Sequence, residues 1–318
     1  MKIKYMLSIV LSMVALSGLS QVGRPIPVLQ GNPDARSAAM GGVMGAKTDR
    51  MYLFVSPGSI FFQDKKLQVD LSSEFFPKLE GIEGRTMQYN FAGAYNFGTD
   101  AVFLGYRYQG GTRIPLISEG MDNKELIVKP FDWSLDAGYA KKLGDNFSIH
   151  ASANLIASWI GKGAYTGSIT FGWYYQNEKK LGRTPAIFSF GMRLADLGVP
   201  VKYKSVENSI AVPSSLQIGS GLDMQLSAKS QLNFVGGARY FVLPKEASML
   251  LLGVGTEYGF NDMLFARAGF EYGQRSQSFG TFGLGAKYQG FHLDAAYRLS
   301  TSRDFGLNTL LISLGYSF

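Results

Sequence analysis

Residues 312–318 read "ISLGYSF". Ile312, Leu314, Tyr316 and Phe318 alternate with Ser313, Gly315 and Ser317, and the chain then stops on its aromatic residue. Terminal residues of soluble domains usually fray and are polar. A strand that closes a membrane barrel meets a different demand, because an unpaired backbone group in lipid is costly. Tyr316 and Phe318 are therefore read as an assembly signal on the lipid-facing side of a last strand.

The same alternation extends through the chain. "MQYNFAGAYNF" places Met87, Tyr89, Phe91, Tyr95 and Phe97 on one face and Gln88, Asn90, Ala92, Ala94 and Asn96 on the other. "FSIHASANL" at 147–155 and "FHLDAAYRL" at 291–299 split in the same way. A period of two marks strands with two unlike faces. The charges fall on the face opposite the aromatic and aliphatic residues: Arg107, Asp136, Arg193, Arg239, Glu257, Arg267, Lys287, Asp294 and Arg298. In a soluble sandwich that charged face would meet water and the apolar face would be the core. Two features favour a barrel turned the other way. Apolar faces end in Tyr or Phe, as an aromatic girdle requires. The polar face carries glycines such as Gly105, Gly138, Gly191, Gly219, Gly253, Gly255 and Gly283, which suit a crowded lumen.

Fourteen strands are expected: 67–76, 86–97, 100–109, 131–141, 146–158, 165–176, 185–195, 214–226, 229–241, 249–259, 262–273, 279–288, 290–299 and 308–318. An even count fits a single-chain bacterial barrel. Connections after even-numbered strands are mostly tight, and those after odd-numbered strands include the long 110–130 and 196–213. Short periplasmic turns and long outer loops follow that asymmetry. "NEKKLGRT" at 177–184 is the exception, a long connection on the short side.

Composition bounds the remaining classes. The 318 residues include no cysteine, 39 glycines and 14 % aromatics. Mean hydropathy lies near zero. The one long apolar run, Met6 to Leu16, is too short to span a bilayer as a helix. It follows Lys2 and Lys4 and leads into small residues, so 1–20 read as a signal peptide cut before Gln21. Without it the net charge is about +5, too mild to suggest nucleic-acid binding. The two histidines, His150 and His292, lie far apart on polar strand faces. No nucleophile motif, metal-spaced cluster or phosphate loop accompanies them, so no enzyme activity, metal or cofactor is expected.

Residues 21–66 show no strand alternation. Within them "GNPDARSAAMGGVMGAKTD" is rich in small residues, and Ser37 to Met44 could form a short helix with a glycine break. Such a segment fits inside a glycine-lined barrel as a hatch. Asp34, Arg36, Ser37, Met40, Gly41 and Gly42 would then face the lumen. Asp34 or Arg36 would pair with lumen charges, each pair contributing about 1 kcal/mol or less. A periplasmic leader is the alternative. The organisation is thus 1–20 signal peptide, 21–66 hatch, and 67–318 all-β transmembrane antiparallel barrel.

"PDARSAAMGG" (33–42), "ADLGVPVKY" (195–203), "AVPSSLQIGSGL" (211–222), "GTEYGFNDMLFARAGFEYG" (255–273) and "FGLGAKYQGFHLDAAY" (282–297) occur in the order seen in the PorV/PorQ family. The chain resembles these FadL-like outer-membrane barrels of the type IX secretion system of Bacteroidota. One departure is "VSPGSIFF" (55–62), where only Pro57 remains of the family's Asn-Pro-Ala segment. The resemblance implies fourteen strands, an N-terminal hatch and an outer-membrane location. It also implies partners: the type IX translocon, the C-terminal signal domains of cargo, and sortase-like attachment proteins for the PorQ type. The other reading is a FadL-like channel for hydrophobic molecules, with Phe103, Ile187, Val235, Leu251 and Phe265 lining a pocket or packing on the hatch. For a cargo receiver, contacts would lie on the apolar outer loops at Ile114, Leu116, Ile117, Leu126, Ile127, Val199 and Tyr203, unless those loops fold over the mouth.

Overall fold

Alternation in sequence becomes sidedness in space. The computed structural model describes residues 24–116, 126–203, 209–274, 277–301 and 308–318, so the signal peptide expected at 1–20 lies outside the described residues. The strands are β1 (Leu67–Phe75), β2 (Glu83–Asn96), β3 (Asp100–Leu116), β4 (Leu126–Val128), β5 (Phe131–Lys142), β6 (Phe147–Trp159), β7 (Gly163–Leu181), β8 (Thr184–Gly198), β9 (Ser215–Ser227), β10 (Ser230–Phe241), β11 (Met249–Phe260), β12 (Leu264–Gly273), β13 (Phe279–Tyr288), β14 (Phe291–Ser300) and β15 (Thr309–Ser317). Fourteen of them are staves of a closed antiparallel barrel, shut by β1 against β15 with Leu71 opposite Leu314. β4 is the fifteenth strand and pairs only the outer end of β3.

Along β14, His292, Asp294 and Ala296 are buried while Phe291, Leu293 and Tyr297 are 44–58 % exposed. The apolar face is outside and the polar face inside. A soluble sandwich would show the reverse. A hydrocarbon surround makes this arrangement stable, since exposed apolar side chains meet lipid and every ladder group is paired within the barrel.

The last residue completes the seam. Phe318 donates its N–H to the Leu67 carbonyl at 2.9 Å and accepts from the N–H groups of Lys66 and Leu67 at 2.7 and 3.0 Å. Its ring points outward, 70 % exposed, and Tyr316 packs on Phe291 with ring centroids 4.7 Å apart.

All but two of the expected strand ends stand within three residues. β3 runs on to Leu116 and, with β4, places strand inside the loop expected at 110–130. β7 runs on to Leu181, so the long connection expected at 177–184 shrinks to Gly182–Arg183 with Gly182 at φ +64°. Both extensions pass beyond the lipid-facing band. In β7 neither face is apolar there, and in β3 Gly110 and Gly111 interrupt the alternation ahead of Ile114, so the pattern marks no strand although the backbone ladder continues.

Before β1, residues 24–62 form short helical pieces at Pro27–Leu29, Ala35–Ala39, Tyr52–Val55 and Pro57–Phe62. Their apolar side chains are buried against inward barrel residues. Tyr52, Leu53, Phe54 and Ile60 share a cluster with Ala92, Ala94, Phe103 and Ala140. Ala35, Ala38 and Ala39 pack with Ala296 and Leu311.

Candidate functional site

The barrel interior and the N-terminal segment meet through glycine. A Cβ placed on Gly219 would strike the Met44 carbonyl oxygen, one on Gly191 that of Gly45, and one on Gly253 that of Gly41. Gly255 lies against the Met40 backbone and Gly283 against the Ala39 side chain. These lumen glycines let backbone approach backbone, which any side chain would prevent. On the segment, Gly41 and Gly42 have φ of +73° and +67°. They turn the chain away from the helical turn, which spans Ala35–Ala39 rather than the 37–44 expected.

Polar inward positions bind the segment's backbone. Ser313 accepts from Ala35 N–H at 2.8 Å, and Thr281 donates to the Ala39 carbonyl at 2.8 Å and accepts from Gly41 N–H at 3.2 Å. Ser72 donates to the Pro33 carbonyl at 2.6 Å, and Ser148 to that of Gly58 at 2.9 Å. Asp70 accepts the Met51 N–H at 2.6 Å and faces His292 Nε2 at 3.0 Å. Apart from His292, the sequence alone singles out none of these residues. Their inward parity was the one available signal, and it does not distinguish them from other inward polar groups.

Charge supplies the second set of ties. Arg36 meets Glu257 bidentately, Nη2 to Oε1 at 2.8 Å and Nε to Oε2 at 3.0 Å. Glu257 also accepts from Arg267, which reaches Asp294 Oδ1 at 2.6 Å. Asp294 in turn pairs Arg50, whose Nε holds Asp49 Oδ1 at 2.9 Å. Lys287 lies 3.7 Å from Asp49, and Lys47 lies 3.3 Å from Asp223. Burial alone would raise the Asp49 carboxyl, but Arg50 and Arg36 hold it well below the usual carboxylate range. Of the two residues expected to pair with lumen charges, Arg36 does so and Asp34 acts within the segment. Asp34 caps the Ala35–Ala39 turn, accepting from Arg36 and Ser37 N–H at 3.0 and 2.9 Å, so its carboxylate is used locally. Ser37 donates to the Asp34 carbonyl, 3.1 Å away. Glu257 is only 6 % exposed, so the weak surface-pair scale expected from sequence does not apply to its bond with Arg36.

The remaining expected lumen charges also point inward. Arg107 pairs Asp136 at 2.6 Å within the wall. Arg193 donates to the Phe54 carbonyl, and Arg239 to those of Leu29 and Gln30 at 2.9 and 3.1 Å. Arg298 joins Glu271 at 2.8 Å and Glu74 at 3.5 Å. Above the segment a cavity of about 270 Å³ opens toward the outer end, with Glu74, Gln88, Arg239, Glu271 and Arg298 among its lining. Leu251 lines it too, whereas Ile187 lines a separate 610 Å³ cavity at the short-turn end. Phe103 packs on the segment instead.

The outer-loop residues divide. Val199 is 70 % and Ile127 48 % exposed, and Ile114 is half-buried. Leu116 and Leu126 sit opposite one another in the β3–β4 pair. Ile117 lies outside the described residues. Tyr203 is a correction, because it is buried rather than presented. With Val201 and Val212 it covers Ile26, Val28 and Leu29, and its hydroxyl bonds Ser158 at 2.7 Å. Apolar surface on that loop is thus spent on the N-terminal segment.

A closed fourteen-stranded antiparallel barrel with lipid-facing apolar residues and a polar interior has the architecture of an outer-membrane barrel. Solved structures of this fold include the Ralstonia pickettii toluene transporter TbuX, 14 % identical, covering 89 % of this chain and 98 % of that one at TM-score 0.55. The Pseudomonas putida toluene transporter TodX is 14 % identical over 88 % and 96 %, at TM-score 0.57. The monoaromatic hydrocarbon channel CymD is 10 % identical over 93 % and 99 %, at TM-score 0.56. At such identity the likeness is one of fold. No curated protein matches the chain by sequence. The family model described as "Type IX secretion system protein PorV" matches residues 20–244, and the chain belongs to the PorV family. The motifs at 255–273 and 282–297 lie beyond that match.

Proposed function

We propose that this protein is an outer-membrane component of type IX secretion that receives cargo by its C-terminal signal domain and passes it to surface attachment machinery. The family match over residues 20–244 carries this reading. Residues 24–62 act in it as a fixed hatch, so the lumen is no route for a folded domain and cargo engages the outer face. Ile127 and Val199, with the half-buried Ile114, are the contacts proposed there, because exposed apolar residues at the outer end mark binding surfaces.

A second reading has its own support. The toluene transporters share the fold, and the outward cavity of about 270 Å³ could admit a small molecule. Its lining, with Glu74, Glu271, Arg239 and Arg298, is more polar than an apolar ligand requires.

Replacing 114–128 with a short Gly/Ser linker separates the two. The cargo-receiver reading expects an inserted barrel, lost secretion of proteins with the C-terminal signal, and lost co-purification with the translocon. Unchanged secretion and unchanged partners would leave the hydrophobic-molecule channel as the better account.

A further inference from the structure

The β7–β8 hairpin continues past the barrel at its short-turn end. The last β6–β7 pair is Phe147 with Tyr175. One residue on, Gln176 N–H reaches the Asn146 carbonyl at 2.9 Å, and the Asn146 side chain donates to the Gln176 carbonyl at 2.7 Å. From Asn177 to Leu181, β7 pairs only β8. Every second residue of an antiparallel strand turns its N–H and C=O to the same side. Glu178 and Lys180 therefore present theirs, like Gln176, to a side where no described strand pairs them.

This open edge is strongly basic. Lys179, Lys180 and Arg183 are exposed, and none forms an ion pair among the described residues. Glu178 is the one acidic residue of the hairpin extension. Leu181 at the tip is 51 % exposed. Lysines on an edge deter pairing with an identical edge, because two copies repel. They favour a strand of opposite charge for the same reason. The cations also stand on both faces of the ribbon, since Lys179 shares the parity of lipid-facing Phe171 and Tyr175 while Lys180 shares that of inward Tyr174. A ribbon lying on a membrane would be one-sided.

We propose that Asn177–Leu181 is a docking edge for an extended acidic segment of a periplasmic protein, which adds as a strand beside β7. Backbone groups at Glu178 and Lys180 would supply the pairing, the three cations the selectivity, and Leu181 an apolar contact. The inference stands apart from the secretion reading and would hold for a channel as well.

The test uses the full barrel in nanodiscs and a labelled nine-residue peptide alternating Glu with Val or Thr. Anisotropy should report binding that weakens about tenfold in the Lys179→Glu/Lys180→Glu variant and falls with added salt. N-methylating alternate peptide amides should weaken it similarly, while heat-modifiable migration confirms the variant barrel is folded. No binding, or binding indifferent to the charge reversal, would overturn the proposal. Equal binding of the N-methylated peptide would also overturn it, leaving charge attraction without strand addition. So would a peptide-inert hairpin whose cations instead drive sedimentation with phosphatidylglycerol vesicles.

Discussion

Arg36 in the N-terminal segment and Glu257 in β11 stand 221 residues apart in sequence and meet through two hydrogen bonds of 2.8 and 3.0 Å. Glu257 is shared, since Arg267 binds it from β12. The two partners are therefore unequal in what their removal leaves behind. Glu257→Gln takes the shared carboxylate from two buried guanidinium groups at once, leaving Arg267 on Asp294 and Arg36 on the Lys47 carbonyl, and should cost about 3–5 kcal/mol. Arg36→Gln leaves Glu257 held by Arg267 and should cost less, about 1–3 kcal/mol. Thiol labelling of an Ala38→Cys reporter should rise in both variants and more for Glu257→Gln. Equal labelling would show that Arg36 alone carries the tie.

Gly219 gives a steric test. A side chain there meets the Met44 carbonyl, so Gly219→Val should displace the segment at a cost of about 1–3 kcal/mol while the wall still assembles. Gly144→Val is the control, because nothing lies within 4 Å of its added Cβ. Raised labelling of Ala38→Cys in the first and not the second is the expected pattern.

Deleting Tyr316–Phe318 removes the seam bonds from Phe318 to Lys66 and Leu67 and the ring contact of Tyr316 with Phe291. Backbone groups left unpaired at the membrane boundary are costly. The truncated chain should accumulate in the periplasm or be degraded, with little heat-modifiable barrel in the outer-membrane fraction. Normal amounts there would disprove the assembly role.

Asp49 sets a pH window. Its carboxyl is depressed in the folded protein, so its contribution is present above the unfolded value of about 3.9 and is lost as pH falls through the lower folded value. The Tm gap between wild type and Asp49→Asn should stay constant from pH 7 to about 4.5 and close only in stronger acid. A gap that closes between pH 6 and 5 would contradict the depressed carboxyl.

Much of the site was legible one residue at a time. The inward parity of Arg107, Asp136, Arg193, Glu257, Arg267, Asp294 and Arg298 follows from counting by two along each strand, and all seven are buried. Their partners were not legible. Nothing local tells that Arg36 takes Glu257 while Asp34, two residues earlier, turns back to cap its own helical turn. Nor does an apolar loop announce its cover: Tyr203 and Val199 read alike in sequence, and one is buried on Ile26–Leu29 while the other is exposed.

What the sequence by itself determined is therefore the face of each strand residue, the number of staves and the apolar outside. Side-chain direction in a strand is a local property of period two, and lipid on one side writes it clearly. Only the tertiary structure decided height and neighbour: how far β3 and β7 run past the lipid-facing band, which glycines meet the backbone of residues 40–45, and which inward charges come together. Those depend on register around a closed barrel and on the path of the N-terminal segment through it. Both arise from contacts between residues hundreds of positions apart, which no local pattern encodes.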